Sequence, residues 1–265
     1  MKHIKMLVFD VDGTLYDLTN HEIPLSAVNA IKQAKKNGYD FVIATGRAHY
    51  GLGKALNDLH PDFVLSVSGG VIVDHNQHVI SHHDFQKQDV EQLLEFAHQY
   101  EAGLIFKFLD HMYIYQHPEK IDWLEGQINS DIGKIPFIDC PMQDHHHIAL
   151  PQSASIHADP KAVEQVFAHH PRISFLPYSA DGYDVVLKGI NKGVGLQTLM
   201  EHLHLQKEEV ACIGDNYNDL EMMQVAGYRI AMGNAVKEVK EIADFVTSNS
   251  NQDGIYHALR HLHCF

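Results

Sequence analysis

Two aspartates, Asp10 and Asp12, stand two residues apart in Phe-Asp-Val-Asp-Gly-Thr, residues 9–14. The run from Ile4 to Phe9 leads into them, is apolar except for Lys5, and reads as a buried strand of a parallel sheet. Gly13 ends that strand. The pair therefore lies where strand passes into loop, which in open α/β sheets is where ligands bind. Residues two apart on an extended chain point the same way. Two carboxylates side by side repel by roughly 4 kcal/mol at an effective dielectric near 20. A cation between them, or a proton on one of them, makes such a pair tolerable, and both are catalytic arrangements. The alternative is an Asp-rich turn, since Asp and Gly are common turn residues.

The flanking elements must deliver further groups to the same edge. Pro24 to Asn37 reads as a helix, with Leu25, Val28, Ile31 and Ala34 at helical spacing and Gly38 at its end. Tyr39 to Ala44 is a second apolar strand, ending in Thr45-Gly46-Arg47. A helix from about Ala48 to Leu59, weakened by Gly51 and Gly53, precedes a third strand, Phe63 to Val67, which ends in Ser68-Gly69-Gly70. This alternation predicts an α/β fold with a doubly wound, mostly parallel, Rossmann-like sheet and right-handed crossovers. Val71–Val73 and Val79–Ile80 read as a hairpin.

From residue 82 the pattern changes to mixed helices and hairpins, including a helix expected over Pro118 to Ser130 and one capped by Asp159-Pro160. Residues 82–185 are therefore read as an inserted α+β module, and 1–81 with 186–265 as the core. Tyr183 to Leu187 is read as the chain's return to the core. A helix then opens at Asn191-Lys192-Gly193, and the strand Glu209 to Ile213 ends in Gly214-Asp215-Asn216-Tyr217-Asn218-Asp219. Convergence of these ends would assemble Asp10, Asp12, Thr45, Lys192, Asp215 and Asp219. Carboxylates suit a hard, oxygen-liganded cation such as Mg²⁺. Thr45 and Lys192 are donors for phosphate oxygens.

The segments Asp-Val-Asp-Gly-Thr, Thr-Gly-Arg, Asn-Lys-Gly and Gly-Asp-Asn-Tyr-Asn-Asp, in this order, resemble the four motifs of the haloacid dehalogenase superfamily. The insertion between the second and third resembles its Cof-type sugar-phosphatase branch. The resemblance implies a phosphoric monoester hydrolase that uses Mg²⁺ and acts on small phosphorylated metabolites. Asp10 would be the nucleophile that forms an aspartyl-phosphate, and Asp12 the acid and then the base. Mg²⁺ would be held by Asp10, the backbone carbonyl of Asp12, and Asp215. Thr45, Gly46, Arg47, Lys192 and Asn218 would face the substrate phosphate, with Asp219 orienting Lys192 or metal-bound water. The insertion would be a cap that excludes water and selects the leaving group. Two departures stand out. Ser68-Gly69-Gly70 replaces the branch's usual Asn-Gly-Ala, and Lys188 is a rival for the role of Lys192. A phosphomutase, a non-catalytic phosphometabolite-binding regulator and a receiver-like phospho-acceptor are the competing readings.

Bulk properties narrow the field. The 265 residues carry a formal net charge of −14, and no basic stripe is visible, which argues against a nucleic-acid partner. No stretch reaches the roughly 18 apolar residues of a membrane span. Three cysteines without metal spacing, and no signal-peptide pattern, fit a cytoplasmic protein. Nine of the 22 histidines fall in clusters at 82–83, 145–147, 169–170 and 261–263, and these are read as solvated surface. Gly193-x-Gly195 is too short for a dinucleotide fingerprint. Met222 and Met223 are read as core, and Trp123 as core or cap surface.

Overall fold

Residues 4–121 and 137–265 are described by the computed structural model. Strand β1 (Met6–Phe9) is buried along its whole length, as expected of an apolar run in the middle of a sheet. Helix α1 (Leu25–Lys36) crosses from it to β2 (Asp40–Ala44) and buries Ala27, Ala30, Ile31 and Ala34. The helix expected over 48–59 is broken into a 3₁₀ turn, His49–Gly51, and a short α2 (Lys54–Asn57). Gly53, at φ +80°, interrupts it. Strand β3 (Phe63–Ser66) continues the parallel set. Strand β4 (Val71–Asp74) then turns back antiparallel on β3, and β5 (Val79–His82) forms the sheet edge.

The chain divides into two compact units. The first comprises Met1–His49, Lys54–Ser81 and Asn191–Phe265; the second comprises Tyr50–Gly53 and His82–Ile190. The second contains α3 (Lys87–Gln99), β6 (Gly103–Lys107), β7 (Met112–Gln116), β8 (Phe137–Asp139), β9 (Ser153–His157), α4 (Pro160–Phe167), β10 (Ile173–Pro177) and β11 (Gly182–Leu187). Its sheet runs β10-β11-β9-β6-β7-β8, with Leu104, Phe106 and Ile156 packed in one core with Leu93, Phe96 and Phe167. Asp159 caps α4 by accepting from Lys161 N. Of the helix expected from Pro118, a 3₁₀ turn, Pro118–Lys120, is described. The remainder, with Trp123, lies outside the described residues. Strand β11 pairs with β9 and β10, so Tyr183–Leu187 belongs to this sheet and not to the first. An apolar strand carries no label of the sheet it joins, and the return falls at Asn191, not at 186.

The first unit resumes with α5 (Lys192–His202), β12 (Val210–Gly214), α6 (Leu220–Val225), β13 (Tyr228–Ala231), α7 (Lys237–Ile242), β14 (Phe245–Val246) and α8 (Gly254–His261). The eight-stranded sheet is ordered β14-β13-β12-β1-β2-β3-β4-β5. From β1 the chain winds one way through β2 and β3, and after the insertion the other way through β12, β13 and β14. The junction of β1 with β12 is the topological switch point, where doubly wound sheets open a crevice at their carboxyl ends. Met222 and Met223 are fully buried in α6.

Several histidines depart from the surface expectation. His146 is buried and its backbone N–H donates to Tyr115 Oη, His145 stacks on Tyr113 at 3.8 Å, and the His170 ring accepts from Ile173 N. His261 stacks on Phe245 at 3.8 Å. An imidazole combines an apolar face with a donor and an acceptor, so it can close a core where those find partners. Among the described residues no helix is long and apolar enough to cross a membrane.

Candidate active site

At the carboxyl end of β1 the chain turns sharply. Gly13 takes φ +92°, and a Cβ there would collide with the Asp215 carboxylate. This turn separates the two aspartates that an extended chain would have set side by side. Asp10 is buried and receives a hydrogen bond from Lys192 Nζ at 2.5 Å. The Asp12 side chain is 45% exposed and is held by Arg47, through Nη2 at 2.5 Å and Nε at 3.2 Å. Each carboxylate thus has its own cation. Arg47, expected to face the phosphate, is engaged with Asp12.

Lys192 is fully buried although it opens α5. The Asn191 side chain caps this helix by accepting from Val194 N. The close approach of its first turn depends on two glycines. A Cβ on Gly193 would lie 2.7 Å from the Glu221 backbone, and one on Gly195 would lie 2.6 Å from Gly69 Cα. Gly193-x-Gly195 is therefore a packing device that lets the helix start sink between α6 and the β3–β4 turn. From there Lys192 Nζ also reaches Asp219 at 2.7 Å. Asp219 is itself buried, and its other oxygen accepts from Asp215 N at 2.9 Å and Asn216 N at 3.0 Å. Lys188 is elsewhere: its Nζ donates to the His170 carbonyl in the second unit. Of the two lysines, Lys192 is the one bonded to Asp10.

Asp215, at the end of β12, is oriented by two groups that sequence reasoning left unassigned. Thr14 Oγ1 donates to Asp215 Oδ1 at 2.8 Å. Asn234 Nδ2 donates to the Gly13 carbonyl at 2.8 Å and lies 3.4 Å from Asp215 Oδ2. Thr14 was in plain view inside the first motif. Asn234 follows β13, and a rule that every parallel strand end contributes would have found it. Thr45 is buried, and its Oγ1 accepts from Arg47 N, leaving its proton free to be donated. Gly46 lies beside Ser68: a Cβ there would make ordinary contact with Ser68 Oγ at 3.6 Å. Asn218 lies exposed in the 3₁₀ turn Tyr217–Asp219.

The electrostatics follow from this crowding. Asp10, Asp215 and Asp219 each offer an oxygen within 4.8 Å of the others, and theirs is the one such metal-competent cluster among the described residues. The side chain of Asp12 is outside that cluster. Burial pushes the Asp10 carboxyl well above the usual carboxylate range, the Asp219 charge adds to this, and Lys192 opposes it. Burial likewise raises Asp215 to about 6 against the Thr14 hydrogen bond. For Lys192, burial disfavours the ammonium, but Asp10 and Asp219 outweigh it and raise its pKa above the ordinary value. Four carboxylates, of Asp10, Asp12, Asp215 and Asp219, face two cations, Lys192 and Arg47. The excess of two negative charges, an all-oxygen donor set and the Gly13 cradle fit a divalent hard cation.

The haloacid dehalogenase-like hydrolase family pattern matches residues 7–259. The putative phosphatase YkrA of Bacillus subtilis is 30% identical over 260 residues, covering 97% of this chain and 97% of that protein. A putative bifunctional phosphatase/peptidyl-prolyl cis-trans isomerase of Streptococcus pyogenes is 29% identical over 264 residues. That match covers 98% of this chain, which spans 54% of the streptococcal protein's length. A solved sugar phosphatase of subclass IIB of the same superfamily aligns over 98% of this chain and 100% of its own, with TM-score 0.81 and 25% identity.

Proposed function

Because the chain belongs to the haloacid dehalogenase-like hydrolase family, we propose that it is a Mg²⁺-dependent phosphatase of small phosphorylated metabolites, sugar phosphates or similar, working through an aspartyl-phosphate. The observation that carries this reading is the buried Lys192 bridging Asp10 and Asp219 with Asp215 alongside, at the switch point of a doubly wound sheet.

Asp10 has one oxygen bonded to Lys192. Its other oxygen attacks phosphorus, a new O–P bond forms, and the bond to the leaving alcohol breaks. Asp12 must take up a proton when substrate binds; it gives that proton to the leaving oxygen, then takes one from the water that hydrolyses the acyl phosphate. Lys192 and the Thr45 hydroxyl donate to the phosphoryl oxygens as charge develops on them. Arg47 is a further donor within the same loop, and Gly46 and Asn218 face the same phosphate. Asp10, Asp215 and the backbone carbonyl of Asp12 would hold Mg²⁺, which supplies charge neutralisation at the phosphoryl group when bound. Asp219 keeps Lys192 in place and ties down the backbone that carries Asp215.

The test is phosphate release from a simple aryl phosphate with Mg²⁺, with chelator, and in Asp10→Asn. Turnover that needs both Mg²⁺ and Asp10 is expected. A wild type inert with Mg²⁺ between about pH 5 and 9 would contradict the reaction class. A kcat/KM comparison across sugar phosphates then identifies the substrate.

A further inference from the structure

The turn between β3 and β4 enters the left-handed region three times in succession, with Val67 at φ 51°, Ser68 at φ 54° and Gly69 at φ 88°. Glycine adopts that region freely; serine does so rarely, and a β-branched valine there is a genuine outlier. The turn is held in this conformation by contacts on both sides. Towards β2, Val67 N donates to the Arg47 carbonyl and Ser68 N to the Thr45 carbonyl, each at 2.9 Å. Towards α5, Gly69 lies against the helix start: a Cβ on it would collide with the Asn191 carbonyl oxygen, and a Cβ on Gly195 would be 2.6 Å from Gly69 Cα. One short turn therefore touches both the loop that carries Thr45 and the helix start that carries Lys192. Backbone strain persists only where the surroundings over-determine it, and it collects at sites whose geometry must not relax.

We propose that Val67–Gly69 is a strained clasp that sets the separation of Thr45 from Lys192, with Ser68 as a positioning residue acting through its backbone conformation. The inference rests on the phosphatase reading, which makes Thr45 and Lys192 the two donors to one phosphoryl group. A misplacement of about 1 Å between such groups can reduce the rate about 100-fold. A turn free to adopt other conformations would allow that drift.

The experiment compares Ser68→Gly and Ser68→Asn in the full chain, each measured for urea stability and for aryl phosphate hydrolysis with Mg²⁺. Glycine removes the conformational penalty, so the folding equilibrium constant should rise about fivefold. It also loosens the clasp, so kcat should fall about tenfold with KM nearly unchanged. Asparagine tolerates the left-handed region, and Ser68→Asn should keep kcat within about twofold. A residue that served stability alone would make activity follow stability, the opposite of what is expected for Ser68→Gly. Wild-type kcat in Ser68→Gly overturns the proposal. So does an equal loss in Ser68→Asn, which would assign the effect to the hydroxyl. If the wild type hydrolyses no phosphomonoester, the phosphatase reading itself fails. The clasp is then read through the thermal shift produced by inorganic phosphate with Mg²⁺: a smaller shift in Ser68→Gly supports it, and a shift equal to the wild type's overturns it.

Discussion

Replacing Lys192 by methionine removes one positive charge from a buried group of carboxylates and leaves the packing volume nearly unchanged. Lys192 Nζ lies 2.5 Å from Asp10 and 2.7 Å from Asp219, with all three side chains out of solvent. Removing one partner of a buried ion pair costs about 3–5 kcal/mol. A second route gives the same size. The site can compensate for the lost charge by binding one proton on a carboxylate whose unfolded pKa is about 3.9, and at pH 7 that protonation costs about 4 kcal/mol, at 1.36 kcal/mol per unit. The sign follows from linkage. A carboxyl with a raised folded pKa contributes stability that is complete below its unfolded pKa and lost as pH rises. The deficit of Lys192→Met should therefore be about 4 kcal/mol at pH 7 and about 1.5 kcal/mol at pH 5, with a slope near one proton. Urea denaturation of both proteins in chelator, at several pH values and with linear extrapolation, measures it. A deficit independent of pH, or one below about 1 kcal/mol at pH 7, would refute the argument that Lys192 is the charge balance of this site.

Two further expectations follow from the same geometry. Mg²⁺ must compete with a proton at Asp215, whose pKa burial raises to about 6. Its affinity, followed calorimetrically or by thermal shift, should fall by up to tenfold per unit below about pH 6; an affinity unchanged from pH 8 to pH 5 would count against Asp215 as a ligand. Lys188→Ala removes a donor to the His170 carbonyl in the second unit. It should leave aryl phosphate turnover within about threefold, whereas Lys192→Ala should lower it by at least about 100-fold; the reverse order would exchange their roles.

The loops that carry the candidate site were legible because strand ends in an α/β sheet are fixed by hydrophobic pattern. An apolar run followed by Asp, Thr or Gly marks a carboxyl end whatever the tertiary details. That is why Asp10, Thr45, Asp215 and Asp219 read as strand-end groups and Lys192 as a helix-start group, while their convergence on one edge does not follow from spacing alone. What lay beyond reach were the contacts that depend on how the backbone leaves each strand. Asp10 and Asp12 share a motif but not a direction, because the turn at Gly13 breaks the period of two. Arg47, expected on the phosphate, pairs with Asp12, since a guanidinium beside a carboxylate makes a charge-assisted pair with it. The same limit explains β11, whose Val185 and Leu187 are apolar enough for either sheet and are assigned only by the partners β9 and β10. Gly195 is the sharper case. In sequence it is a weak glycine in a helix, half of a nucleotide fingerprint that fails. In the fold it is the residue whose missing Cβ lets Gly69 approach, and with it the helix start that buries a lysine among three carboxylates. A residue that acts by lacking a side chain leaves no chemical signature in sequence, so the position of Lys192 could be inferred from its motif while the reason it can be buried there could not.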